Sequence, residues 1–277
     1  NSMDKVNEAA AIAKKSDLAI VVVGENPLRY QKSKTCGENI DRMGLDLLGT
    51  QNQLVQKIHE TGVPTIVVLV GGRPLSVNWI AQNVQALVQA WEPGSLGGRA
   101  LANILAGKVN PSAKLPISIP RHSGQIQMIY NHKPSQYFHK YIDGPSTPLY
   151  PFGFGLSYTR FAYSSLKLSH TRISDKDSFT ASIELTNVGD REGTEVVQLY
   201  IRDIYSSATR PVKELKDFAR VTLKPGEKKT VTFTVTPDKL AYWNRNMQYG
   251  VEKGEFEIMI GSSSQDKDLK KVKMEVL

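Results

Sequence analysis

Unbroken apolar runs alternate with helix-spaced segments through the first part of the chain. The segment DKVNEAAAIAKKS places Val6, Ala9, Ala10 and Ala13 on one helical face. LAIVVVG, Leu18 to Gly24, is too continuous for a sheet with one face in water, and it predicts a strand buried on both faces. A long polar loop then leads to a helix near Leu48 to Glu60, stopped by Gly62 and Pro64. PTIVVLVGG predicts a second buried strand, PLSVNWIAQ a short helix and QALVQAW a third strand. GSLGGRALANILAGKVNP adds a helix with an abrupt Gly/Asn/Pro stop. This order implies right-handed crossovers and an α/β three-layer sandwich with a largely parallel sheet over residues 1–120.

After Ser157 the period becomes two. FTASIELTNVGDREGTEVVQLYIRD reads as two alternating strands joined by a turn around Gly189 to Gly193. ELKDFARVTLKPGEKKTVTFTVT repeats the arrangement around KPGE, and GEFEIMIGSSS adds another strand. Short strands at regular spacing predict an all-β sandwich of the fibronectin type III, immunoglobulin-like kind over 157–277. Residues 121–156 fit neither period and are rich in Tyr, Phe, His, Pro and Gly, so they read as an ordered linking and site-lining segment. PLYPFGFGLSY is expected to be buried between the two domains, with 122–141 more open.

Length and composition leave this picture standing. The chain has 277 residues, 40% hydrophobic and 22% charged, as in an ordinary globular protein with two cores. No apolar run approaches the ~20 residues that span a membrane, so no membrane partner is expected. The formal charge of +8 is spread among acidic residues except in the tail KDLKKVK. No zinc spacing or basic aromatic stripe accompanies it, which argues against a nucleic-acid partner. A single cysteine, Cys36, excludes an internal disulfide.

Candidate chemistry is sparse. GGRPLS and GSLGG sit where an α/β sheet would bind a phosphate, but neither fits a nucleotide-binding pattern, and they read as tight strand-to-helix turns. No cofactor is expected. The histidines show no metal-ligand spacing, so no metal is expected, and no serine lies in a nucleophile elbow. Arg121 and His122 follow KLPISIP, a predicted strand, and lie where open α/β sheets bind ligands. The polar loop KSKTCGENIDRMGLDL carries Glu38, a carboxylic acid of the kind that can protonate a departing oxygen. Sugar hydrolysis needs such an acid opposite a second carboxylate. Asp41 beside Arg42 is expected to be ionised and structural, and Glu25, at the end of the first strand, to anchor the loop.

The ordered series VVVGENP, CGENIDR, LVGGRPLSVNWI, AWEPGSLGGRALANILAGKVNPSAKLPISIPR, PLYPFGFGLSYTRF and RPVKELKDFARVTLKPGEKKTVTFTV resembles family 3 of the glycoside hydrolases across essentially the whole chain. The similarity is greatest to bacterial β-glucosidases. In that family a (β/α)8 barrel carries an aspartate nucleophile, an α/β sandwich supplies the acid/base glutamate from a loop, and a fibronectin-type domain follows. This chain resembles the last two parts only. The resemblance implies a C-terminal fragment of a retaining exo-β-glycosidase, with the N-terminal barrel of the same full-length chain as its partner. It implies a β-linked oligosaccharide or glucoside as substrate and a periplasmic or secreted full-length protein. GENIDR is similar to the family's Glu-Gly-x-Asp-Arg stretch, which puts Glu38 on the acid/base position, with Asn39 where glycine is usual and Glu25 as the alternative acid. Arg121 and His122 remain candidates for substrate binding. A β-xylosidase of the same architecture and a non-catalytic carbohydrate-binding or scaffolding module are the competing functions.

Overall fold

The computed structural model describes residues 2–26, 34–37, 40–125, 127–134 and 141–277. The chain divides into two compact units. One comprises Asn1–Ala106, Ile119–Gln127 and Thr147–Leu149; the other comprises Gly107–Ser118, Met128–Ser146 and Tyr150–Leu277.

The first unit runs α1 (Met3–Ala13), β1 (Ala19–Gly24), α2 (Gln51–His59), β2 (Thr65–Val70), α3 (Asn78–Asn83), β3 (Ala86–Trp91) and α4 (Gly97–Leu105). Ser2 caps α1 by accepting a hydrogen bond from the Asp4 N–H at 3.2 Å, which satisfies one of the unpaired donors of the first turn. Val6 and Ala13 are buried on the predicted face. The three strands form a parallel sheet in the order β1-β2-β3, with Val21 opposite Val67 and Val67 opposite Leu87. Val21, Val23, Val67 and Leu69 pack against Val55 and Ile58 of α2 and Ile80 of α3. The expectation that β1 is buried on both faces is corrected. Ala19, Val21 and Val23 are buried, while Ile20 and Val22 are 49% and 62% exposed. The cause is position: β1 lies at the sheet edge, and this core cluster gathers on one face.

A second correction concerns KLPISIP, which forms no strand ladder. Its backbone ties are the Leu115 N–H donating to Phe154 O and the Gly153 N–H donating to Leu115 O, both at 2.8 Å, and the Leu149 N–H donating to Ile119 O at 2.7 Å. Two of its seven residues are prolines, and each removes a ladder donor.

The second unit is the β-sandwich. After β4 (Phe161–Tyr163), β5 (Lys167–Leu168) and β6 (Arg172–Ile173) come β7 (Phe179–Asn187), β8 (Gly193–Asp203), β9 (Glu214–Leu223) and β10 (Lys228–Val235). Then follow α5 (Pro237–Leu240), β11 (Tyr242–Trp243), β12 (Tyr249–Gly250), β13 (Gly254–Gly261) and β14 (Leu269–Val276). One sheet has the order β10-β7-β4 with β5 also on β7, and the other the order β6-β14-β13-β8-β9. Both predicted turns therefore carry the chain from one sheet to the other and close no hairpin. Ile183, Leu185, Val197, Leu199, Ile258 and Ile260 fill the space between the sheets. The basic tail is the strand β14: Met274 and Val276 point into the inter-sheet core, Leu269 packs on the other face with Tyr200 and Met259, and Lys271 and Lys273 pair with Asp266 and Glu255.

The segment expected to lie open at 122–141 is fastened at Tyr130. Its ring stacks on Phe152 at 4.2 Å, and its hydroxyl accepts from the Leu215 N–H at 3.2 Å.

Asn187, fully buried, holds the crossing of the two inter-sheet turns. Its amide donates to Arg191 O and Leu223 O at 2.8 and 2.9 Å, and its Oδ1 accepts from Thr159 Oγ1 and the Gly189 N–H at 2.7 and 3.0 Å. Asn187→Ala strands these buried partners, each at a cost of about 1–3 kcal/mol if no water replaces the amide. The expected loss of stability is roughly 2–4 kcal/mol, read by urea unfolding. A loss within error would show that water substitutes freely.

Candidate active site

The carboxyl edge of the parallel sheet brings together Glu25, Asp41, Arg42 and Arg73. β1 ends at Gly24, where φ is +143° and an added Cβ would lie 1.8 Å from Val70 O. Only glycine permits that approach. It lets the Glu25 N–H donate to the same Val70 O at 2.8 Å. Gly71, at φ +153°, leaves room for the Glu25 side chain, whose Cβ would sit 3.3 Å from a Cβ at position 71.

Glu25 is thereby turned inward with 1% of its side chain exposed, and two guanidinium groups meet it there. Arg42 Nη1 donates to Oε1 at 2.8 Å. Arg73 donates from Nη2 to Oε1 at 2.7 Å and from Nε to Oε1 and Oε2 at 3.0 and 3.1 Å. A buried carboxylate is tolerated only when paired and hydrogen-bonded in this way.

The same guanidinium groups hold the polar loop. Arg73 Nη1 donates to Asp41 Oδ1 and to Arg42 O, both at 2.9 Å, and Arg42 Nη2 donates to Asp46 O at 2.6 Å. On the other flank Asn26 and Thr35 exchange two hydrogen bonds of 2.8 Å, from the Asn26 N–H to Thr35 Oγ1 and from the Thr35 N–H to Asn26 O. Cys36, buried beside Glu25, has its thiol pKa raised by burial first, then by the Glu25 charge and a hydrogen bond to that carboxylate.

Glu38 and Asn39 lie outside the described residues. Arg121 and His122 form a separate hydrogen-bonded turn. Arg121 Nε donates to Thr147 O at 3.0 Å, Asn78 Nδ2 donates to Arg121 O at 2.7 Å, and exposed His122 accepts from the Gly124 N–H on Nδ1 at 3.0 Å. Among the described residues no hydrogen bond joins this turn to the Glu25 cluster. Because KLPISIP is not a strand, His122 does not stand at a strand's carboxyl end.

Asp41 was expected to be ionised and structural beside Arg42. Its ion pair is instead with Arg73, while the Arg42 side chain turns to Glu25. Arg73 is the residue that sequence reasoning missed. The available signal was a charged side chain directly after the two glycines that close a buried strand. Trp91 adds a left-handed residue, φ 54°, at the end of β3 and is followed by exposed Glu92, whose Oε1 would lie 3.1 Å from a Cβ at Gly72. A non-glycine residue in that region carries strain of order 1–3 kcal/mol.

Comparison with known proteins decides the family. Residues 3–158 match the glycosyl hydrolase family 3 C-terminal domain, and residues 195–264 match the fibronectin type III-like domain. The chain belongs to glycosyl hydrolase family 3.

A β-xylosidase of Formosa agariphila is 47% identical over 272 residues, covering 97% of this chain and 37% of that protein. A periplasmic β-glucosidase of Salmonella typhimurium is 41% identical over 269 residues, covering 94% and 34%. Among solved structures, a β-glucosidase from Erythrobacter marinus superposes with a TM-score of 0.91 at 40% identity, over 98% of this chain and 36% of that one. A β-glucosidase from Listeria innocua in complex with glucose gives 0.90 at 33% identity, over 100% and 39%. The chain thus spans about a third of the length of the relatives it matches. No described helix is long and apolar enough to cross a membrane.

Two outcomes test this cluster. Arg73→Ala leaves the buried Glu25 carboxylate with Arg42 as its one described cationic partner and is expected to cost the first unit about 3 kcal/mol in urea unfolding. A loss below about 1 kcal/mol would mean that the carboxylate is satisfied without Arg73. Cys36 is expected to resist iodoacetamide at pH 8 in the folded chain and to react once urea is added. Rapid alkylation of the folded chain would contradict the buried, protonated thiol.

Proposed function

We propose that this chain is the C-terminal part of a retaining exo-acting β-glycosidase that removes terminal β-linked sugars, with Glu38 as its acid/base residue. The observation that carries the reading is the pinning of the polar loop on both flanks of position 38, by Thr35 and Cys36 before it and by Asp41 and Arg42 after it. A general acid must be held within hydrogen-bond reach of the departing oxygen, and a loop fastened only at its distant ends would not hold it. Glu25 suits the role poorly. Its carboxylate is engaged by two guanidinium groups and its side chain is 1% exposed, so a glycosidic oxygen has no path to it. In this reading Glu25 is the anchor, and Glu38 reaches the sugar.

The nucleophile in this reading is an aspartate on an N-terminal barrel of the longer chain, in a periplasmic or secreted protein. Attack at the anomeric carbon breaks the glycosidic bond while Glu38 gives its proton to the leaving oxygen. Glu38 then takes a proton from water as that water displaces the aspartate. Arg121 and His122 are proposed contacts to the substrate's hydroxyl groups.

The sugar is proposed to be β-glucose, as in the named activity of the Salmonella, Erythrobacter and Listeria relatives. The 47% identity to a β-xylosidase favours xylose as a second reading.

In the longer enzyme, Glu38→Ala is expected to slow hydrolysis of poorly activated leaving groups by roughly 10²–10⁴-fold. Substrates whose leaving groups need no protonation should lose less in the first step, and azide should restore the second. The 277-residue chain alone should show no turnover. Equal losses on all substrates without azide rescue, or turnover by the chain alone, would overturn the assignment.

A further inference from the structure

The hairpin β11–β12 exposes two aromatic rings that no part of the proposed chemistry uses. Trp243 and Tyr249 are cross-strand partners, 62% and 55% exposed, with ring centroids 5.4 Å apart and planes tilted by 52°. Among the described aromatic pairs, theirs is the one in which both rings are more than half exposed.

The hairpin is held rigid from inside. Asn244 Oδ1 accepts from the Asn246 and Gln248 N–H groups at 2.9 and 3.0 Å, and the Asn244 N–H donates to Gln248 O at 3.0 Å. Beneath it Tyr242 is buried, its ring 4.5 Å from the Arg210 guanidinium carbon and its hydroxyl 3.2 Å from Ser207 Oγ. Rings on so fixed a support lose little conformational freedom when a ligand covers them.

From these observations we infer that Trp243 and Tyr249, on the second unit, form a stacking platform for a β-linked pyranose chain. The occupant follows from the chemistry around the rings. Aromatic faces are negative and attract the polarised C–H groups on a pyranose face. The same hairpin carries the exposed residues Arg245, Asn246 and Gln248, whose side chains offer hydrogen-bond donors to sugar hydroxyls. Residues 239–251 contain no Asp or Glu; of the carboxylates that flank them, Glu252 is engaged by the Ser207 hydroxyl and N–H at 2.5 and 2.9 Å, and Asp238 lies on α5. A second copy meeting hairpin to hairpin would bring Arg245 toward its own counterpart and is disfavoured.

The test uses the purified 277-residue chain with cellohexaose and xylohexaose as probes, read by calorimetry and by indole fluorescence. Binding needs no turnover, so the result stands apart from the fate of Glu38. Binding of at least one probe is expected. It should weaken about five- to tenfold in Trp243→Ala and in Tyr249→Ala and stay unchanged in Trp79→Phe, with all melting curves alike. No binding at millimolar probe, or binding that survives Trp243→Ala, would overturn the platform. So would sedimentation showing that the hairpin joins two copies, or acrylamide quenching showing Trp243 already covered in the longer enzyme.

Discussion

A carboxylate without water needs a positive partner, and that constraint organises the carboxyl edge of the parallel sheet. Glu25 follows β1 directly, and the close approach of Gly24 to Val70 carries it into the interior. Removing a bare charge from water costs several kcal/mol even after the protein relaxes. Arg42 and Arg73 offset that cost, and in doing so each must come from a separate stretch of chain. The loop after β1 is therefore folded back on the strand that precedes it. Of its polar sequence, Thr35, Asp41 and Arg42 are held by hydrogen bonds and ion pairs to Asn26, Arg73 and Glu25.

The arrangement separates two roles that a sequence places close together. Glu25 is spent on structure, while the loop it anchors carries the carboxylate that is proposed to meet the sugar. Arginine suits the anchor because its planar fork can bind one carboxylate and still reach backbone carbonyls. Arg73 does this with Glu25, Asp41, Arg42 O and Gly44 O. Cys36 shares the same enclosure, and burial keeps its thiol protonated there.

The β-sandwich is held by a different means. Its core is apolar, with buried side chains from both sheets meeting in one cluster. One polar residue, Asn187, sits where both turns cross between the sheets and satisfies backbone groups from each. An amide can serve both donors and acceptors at one point, which an apolar side chain there could not do.

Much of this was legible in the order of residues. Apolar runs and period-two segments follow from the geometry of strand and helix, so the α/β part, the sandwich and the sites of their turns could be read directly. The similarity of CGENIDR to a family motif is the ground on which Glu38 is proposed, and it belongs to sequence alone. What the sequence could not state was partnership. It did not reveal that β7 and β8 belong to different sheets, that Ile20 and Val22 face outward at an edge, or that KLPISIP forms no ladder. Nor did it reveal that Arg42 passes over its neighbour Asp41 to reach Glu25, leaving Asp41 to Arg73, 32 positions away. Periodicity reports which side of an element is apolar. Which charges meet depends on how distant segments are brought together, and that was decided only when the strands aligned and their carboxyl ends converged.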